Sequence, residues 1–154
     1  MKKILLPILI LMIAGQARAQ VQVTFSILGD QDDWQLFMAK KIYTDLSAGS
    51  GGKAVFITFT AGDEGLGNGG TGAIPYYLAK EQGAVYASKF LSDISLSPIY
   101  PNTYAVPTAQ NVVLNGKTLT KYVYGNASGN GQVVNYFLRL PDGGQAGTGY
   151  AGTG

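Results

Sequence analysis

The chain has 154 residues, of which 11 are basic and 9 are acidic, and it contains neither histidine nor cysteine. The absence of cysteine excludes disulfides and thiolate metal sites within these residues. The absence of histidine excludes a Ser-His-Asp triad, a histidine general base and every histidine-ligated metal site within them. The length is sufficient for one domain with its own hydrophobic core.

The N-terminal segment has the pattern of a signal peptide. Lys2 and Lys3 precede an apolar stretch over residues 4–14, and an Ala-Arg-Ala sequence that ends at Ala19 offers a cleavage site. The stretch is short for a bilayer span, so a membrane anchor is the less favoured alternative. We expect residues 1–19 to be removed, and the protein to be exported, either periplasmic or secreted, with no stable membrane span after cleavage.

The apparent basicity of the chain lies in that same segment. It holds three of the 11 basic residues, Lys2, Lys3 and Arg18, and no acid, so the rest of the chain carries eight basic against nine acidic side chains. The resulting net charge of −1 gives no reason to expect nucleic acid or an anionic membrane surface as a partner.

The first predicted elements alternate between strand and helix. Residues 21–28, VQVTFSIL, are rich in β-branched and aromatic side chains and predict a strand. Between Asp33 and Leu46, apolar side chains recur at three- and four-residue steps, which predicts a helix that Asp32 or Asp33 can cap. Residues 53–60, KAVFITFT, have the nearly continuous apolar and β-branched composition of a strand that is covered on both faces.

A glycine-rich loop over residues 61–72 leads into a second predicted helix over 74–92. The order strand, helix, strand, helix predicts a right-handed βαβ unit in a mostly parallel sheet. We therefore expect an α/β fold, with a Rossmann-like, mostly parallel sheet that is flanked by helices and carries an attached β-hairpin.

The rest of the chain changes to β structure. Two β-rich arms flank an Asn-Gly pair at 115–116, which predicts the hairpin over 108–126, and VVNYFLRL over 133–140 predicts a last strand. Residues 141–154 are rich in glycine and carry nothing that could pack a core. We expect this segment to be either a natural tail or a loop cut in mid-domain, and an incomplete domain accounts better for a sheet that ends early.

Two groups of acidic residues follow the first two predicted strands. Asp30, Asp32 and Asp33 come just after the first strand, and Asp63 and Glu64 come just after the second. Parallel strands end at one edge of a sheet, where ligands bind in open α/β folds, so we expect both groups in one cleft. Crowded carboxylates repel one another unless a cation relieves them, and carboxylates alone favour calcium or magnesium. Helix capping and solvated loop acids are the alternative interpretation.

The segments ILGDQDDWQLFMAKKIYTDL and KAVFITFTAGDEG together resemble the zinc-dependent N-deacetylases of the PIG-L/LmbE type. In that family the first strand ends in a His-Pro-Asp-Asp motif, or in His-Gln-Asp-Asp-Trp in exported bacterial relatives. The second strand ends in a Thr-x-Gly-Glu/Asp loop, which Thr60, Gly62 and Asp63 match. A helix with an Arg and a Glu follows, and Lys80 and Glu81 loosely resemble that pair.

The resemblance covers residues 20–140, as the N-terminal part of a full family domain, and it implies roles for individual residues. Asp32 falls on the general base that deprotonates a metal-bound water, and Asp33 falls on a metal ligand. Asp30 falls on the first histidine ligand, and the second histidine of the family's site has no counterpart in this chain. The substrate side of the site would include Trp34, Asp63, Glu64 and Lys80.

The resemblance implies a zinc-dependent hydrolysis of the acetamide group of N-acetylated sugars or related amides. Because Asp30 replaces a histidine and a further ligand is missing, we expect this chain to hold zinc weakly and to be a fragment or an inactive form. Two alternatives remain, a non-catalytic carbohydrate-binding protein and a calcium-binding module, in which calcium or magnesium replaces zinc. The expected partner is a small-molecule or glycan substrate, and the sequence leaves the oligomeric state open.

Overall fold

The computed structural model describes residues 22–47, 52–62, 74–96, 107–125 and 132–140. Its elements in chain order are β1 (Val23–Leu28), α1 (Asp33–Phe37), α2 (Ala39–Ser47), β2 (Lys53–Thr60), α3 (Tyr76–Leu96), β3 (Ala109–Leu114), β4 (Lys117–Tyr124) and β5 (Gln132–Leu140). The strands form one five-stranded sheet in the order β1-β2-β5-β4-β3. β1, β2 and β5 are parallel to one another, while β4 and β3 continue the sheet antiparallel. The predicted α/β fold is confirmed.

β2 is the central strand of the parallel part, and its pairing with β5 is irregular near the end. Thr58 pairs with Phe137, but Thr60 pairs with Leu140, so β5 carries one extra residue over this stretch. Arg139 lies in this bulge and has a φ of 55°, in the left-handed region that non-glycine residues seldom adopt. The bulge therefore changes the direction of a charged side chain at the carboxyl end of the parallel strands.

The hydrophobic core lies between the sheet and the helices. The buried strand side chains at its centre are Leu28, Ala54, Phe56 and Val133, and the helices add Trp34, Ile42, Leu46 and Leu91. The ring of Trp34 packs on the ring of Phe56 with their centroids 4.9 Å apart. Full burial of a large apolar side chain contributes about 1.5–3 kcal/mol, so the burial of these side chains stabilises the fold.

The opposite face of the sheet is open in the described part of the chain. Phe25, Ile27 and Phe59 are 65%, 67% and 39% exposed there. Alternate side chains of β2 face this side and are only partly buried. Within the described residues, the expectation that the strand over 53–60 is covered on both faces is therefore not met.

The first predicted helix is divided in two. Met38 separates α1 from α2, with a φ of −129° and a ψ of 0°. Helical hydrogen bonds nevertheless continue across the break, because Met38 N donates to Trp34 O at 2.9 Å and Ile42 N donates to Met38 O at 3.0 Å. The second predicted helix is present as α3, which begins and ends slightly later than predicted.

The hairpin between β3 and β4 is confirmed. Asn115 and Gly116 have φ values of 49° and 74°, the two positive angles that a tight two-residue hairpin turn requires. The Asn-Gly pair was therefore a sufficient signal for this part of the fold.

Several predictions concern segments outside the described residues. These are the signal peptide over 1–19 and the glycine-rich segment over 141–154, together with Asp63 and Glu64. Among the helices that the structure describes, none combines the length and the apolar character needed to cross a membrane.

Candidate functional site at the carboxyl edge of the sheet

The turn after β1 and the end of β2 are joined by hydrogen bonds. Thr60 donates to the Gly29 carbonyl twice, from its backbone N at 3.0 Å and from its Oγ1 at 2.8 Å. The segment with the three aspartates therefore lies against the residues that follow β2, as the parallel arrangement predicts.

Gln31 forms a second connection between these segments. Its side chain is 2% exposed, and its Nε2 donates to Ala61 O at 2.7 Å and, more weakly, to Thr60 O at 3.4 Å. Both acceptors are carbonyls, which fixes the orientation of the amide. Its Oε1 is buried and has no hydrogen-bond partner among the described residues. Sequence analysis missed this role, because a glutamine between acids has no distinctive pattern.

Gly62 allows the two segments to approach closely. Its φ is 58°, and a Cβ at this position would lie 2.1 Å from Asp30 Oδ1 and 2.3 Å from Gln31 Oε1. Real Cβ atoms essentially never come this close to another atom, so any larger residue here would force the side chains of Asp30 and Gln31 to move. The two oxygens converge on the same side of Gly62.

Asp33 is oriented by backbone donors. Its Oδ2 accepts hydrogen bonds from Gly29 N and Asp30 N, both at 2.9 Å. These donors precede the helix, so Asp33 closes the turn and does not cap α1. Asp32, the residue directly before α1, has helical backbone angles, and its side chain makes no capping hydrogen bond. The prediction that Asp32 or Asp33 caps the helix is therefore wrong, because the cap position does not have the extended backbone that aims a side chain at the free N–H groups.

Asp30 is paired with Lys80 of α3. Lys80 Nζ lies 2.5 Å from Asp30 Oδ2, and Asp30 Oδ1 accepts from Gln31 N at 2.6 Å. Burial alone lowers the pKa of Lys80, but the hydrogen bond to Asp30 and the negative charges of Asp30 and Asp32 outweigh it, and the net pKa is raised. Lys80 is therefore a permanent cation beside Asp30, Asp32 and Asp33, which together are called the acidic cluster.

The next residue of α3 makes a second ion pair. Glu81 is fully buried and accepts from Arg139 Nε at 2.7 Å and from Arg139 Nη2 at 2.8 Å. The guanidinium also lies over the ring of Tyr77, 5.3 Å from its centroid. The hydrogen bond to Glu81 raises the pKa of Arg139. Arg139 was not predicted from the sequence, since its position in a strand pattern gives no sign of a bulge.

Trp34 lies away from solvent. It is 3% exposed and belongs to the core beneath the sheet edge, in contact with Phe56. The structure therefore gives this side chain a packing role, and its predicted contact with a substrate stays a prediction.

The described residues do not fit a three-ligand zinc site. The two hydrogen bonds that orient Asp33 both go to its Oδ2, so they leave Oδ1 available to a metal ion. Both oxygens of Asp30, however, already accept hydrogen bonds, one from Lys80 Nζ and the other from the backbone N of Gln31. No three side chains of the metal-ligating types come together within the described part of the chain.

Comparison of the chain with protein-family models, with curated proteins and with solved structures gave no match. The resemblance to the deacetylases therefore rests on the motif residues alone and stays a prediction.

Proposed function

We propose that this edge of the sheet binds a small polar ligand, a glycan or a related amide, without hydrolysing it. In this proposal Lys80 supplies the positive charge that a metal ion supplies in the deacetylases that the sequence resembles. The observation that supports it is the 2.5 Å contact between Lys80 Nζ and Asp30 Oδ2. Asp30 is the residue that the resemblance aligns with a zinc ligand.

The charge of Lys80 bears directly on metal binding. A cation at ion-pair distance relieves part of the repulsion within a carboxylate cluster, so Asp30 does not need a divalent ion as its partner. An incoming metal ion would be repelled by the ammonium group and would have to displace it from Asp30. We therefore expect zinc to bind weakly to this chain.

Hydrolysis is the second candidate function, and one observation favours it. Asp33 is held by two backbone N–H groups, and Asp32 is exposed and makes no capping bond. The residues that the resemblance assigns as ligand and general base thus form no ion pair among the described residues. Zinc hydrolysis would still require ligands beyond those that the described residues bring together.

Metal analysis combined with a binding assay separates these functions. The purified chain is analysed for bound metal and then titrated with a trisaccharide of N-acetylglucosamine, once in the presence of a chelator and once each with added zinc and added calcium. Ligand binding is followed by NMR. We expect no stoichiometric metal, saturable binding and no release of free amine. Stoichiometric zinc together with amine release would establish the hydrolase instead, and a requirement for calcium would establish the calcium-binding module.

A further inference from the structure

We propose that the group recognised at this edge is a primary ammonium, as in a deacetylated amino sugar, and that this form binds more tightly than the N-acetylated form. The inference rests on the proposed function, because it specifies the ligand of the same site. It follows from two carboxylates without an ion-pair partner and from one buried acceptor without a hydrogen-bond partner, all among the described residues.

Among the described residues, the charged groups at this edge do not balance. The carboxylates are those of Asp30, Asp32, Asp33 and Glu81, and the cations are those of Lys80 and Arg139. Asp30 is paired with Lys80, and Glu81 with Arg139. Asp32 and Asp33 form no ion pair with any described residue. Two carboxylates among the described residues therefore have no ion-pair partner of their own, which disfavours an anionic ligand and favours a cationic one.

The buried side-chain atom that lacks a hydrogen-bond partner at this edge, among the described residues, is an acceptor. Gln31 is 2% exposed, and its Oε1 is unpartnered among the described residues. Its amide cannot be reversed to present a donor, because Nε2 already donates to the carbonyl of Ala61. This oxygen converges with Asp30 Oδ1 beside Gly62, next to the acidic cluster. A buried acceptor without a partner is unfavourable, so a ligand that brings a donor to it is stabilised.

A primary ammonium matches both properties. It carries one positive charge and three donors and has no acceptor. An acetamido group is neutral and brings only one N–H donor, so it gains no charge attraction from the two carboxylates that lack an ion-pair partner among the described residues. A calcium ion needs six to eight oxygen ligands, and its double charge is repelled more strongly by Lys80 than a single charge is. The ammonium is therefore the better complement to this edge.

The test compares two trisaccharides on the full chain. One is built of glucosamine units and the other is its fully N-acetylated counterpart, and both are titrated by calorimetry at a slightly acidic pH, where the amines are protonated. We expect the amine form to bind roughly tenfold more tightly. Added salt should weaken the binding of the amine form more than that of the N-acetylated form, because only the former depends on charge.

Two variants of equal charge change show whether the acidic cluster is responsible. Asp32→Asn should remove most of the preference for the amine form. Asn111→Lys raises the net charge by the same unit on β3, at the opposite edge of the sheet, and should leave the preference intact.

The outcomes distinguish this inference from the function on which it rests. Binding of the N-acetylated trisaccharide as tightly as the amine form overturns the inference and leaves the proposed function standing. Failure of both sugars to bind overturns the proposed function as well. If both variants lost the preference equally, the net charge of the protein would explain the preference without the acidic cluster, and this result would also contradict the inference.

Discussion

Gln31 donates from its Nε2 to the carbonyl of Ala61 at 2.7 Å, across thirty positions of sequence. This bond joins the turn after β1 to the end of β2 inside the protein, where water does not compete. It holds the acidic cluster against the next strand, so the geometry of the edge depends on a side chain that carries no charge.

Replacing Gln31 by methionine removes this bond at nearly constant side-chain length. We expect a loss of about 1 kcal/mol in the free energy of unfolding, because the Ala61 carbonyl is left without its donor. The simultaneous loss of the unpartnered Oε1 acts in the opposite direction and keeps the effect small. Urea unfolding measures the change. Gln110→Met, on the exposed β3, is the control and should change stability by less than about 0.5 kcal/mol; equal effects would contradict a specific role for Gln31.

Gly62→Ala tests the close approach of the two loops. The new Cβ would lie 2.1 Å from Asp30 Oδ1, in addition to the strain of a φ of 58°. Gly116→Ala is a matched control, since Gly116 has a φ of 74° but nothing within 4 Å of the added Cβ. We expect Gly116→Ala to lower stability by about 1 kcal/mol through backbone strain alone, and Gly62→Ala to lower it clearly more. Chemical denaturation of both variants gives the comparison, and equal losses would show that the loops separate without cost.

Lys80→Met tests whether the ammonium group takes the place of a metal. The substitution removes the positive charge that lies 2.5 Å from Asp30 and frees that carboxylate for another cation. We expect zinc to bind at least roughly tenfold more tightly than to the wild-type chain, as measured by calorimetric titration. Lys117→Met, in the exposed hairpin, controls for the change in net charge. If the zinc affinity of Lys80→Met is unchanged, the ammonium group of Lys80 does not take the place of a metal ion.

Asp45 gives stability that depends on pH. Its carboxylate accepts from Thr24 of β1 at 2.7 Å and from Lys41 at 2.6 Å. Burial alone raises the pKa of Asp45, but the hydrogen bonds from Lys41 and Thr24 outweigh it, and the pKa lies below its ordinary value of 3.8.

A carboxyl group whose pKa is lowered on folding stabilises the protein above its unfolded pKa, and this stabilisation is lost as the pH falls through the folded value. We expect the free energy of unfolding of the wild type to be about 1 kcal/mol larger than that of Asp45→Asn at neutral pH. The difference should decrease below pH 3.8 as the carboxylate becomes protonated. Thermal unfolding of both proteins over this range is the measurement, and a difference independent of pH would contradict the assignment.

The parts of the fold that sequence predicts depend on neighbours in the chain. The strand over 53–60 and the hairpin at Asn115 follow from local composition and turn chemistry, and both occur as predicted. The position of the aspartates at a strand end also follows from local order. The division of the first helix at Met38 was not predicted, because the apolar spacing continues through it.

The features that sequence does not predict depend on distant pairs. Arg139 pairs with Glu81 across 58 positions, and its direction depends on a bulge that appears only when β5 is paired with β2. The partner of Asp30 likewise lies on a helix fifty positions away. Pattern and spacing place acids at an edge, but only the three-dimensional arrangement determines which of them keep their charge unpaired.

Lys80 and Glu81 are consecutive residues of opposite charge. Lys80 pairs with Asp30 in the turn after β1, and Glu81 pairs with Arg139 of β5. If α3 were shifted by one residue, Glu81 would face Asp30, or Lys80 would face Arg139. Either arrangement brings like charges together in a place where they cannot both stay solvated. The pair therefore fixes the register of α3 against the sheet. A shift of one residue in either direction loses an ion pair and, in addition, brings two like charges together.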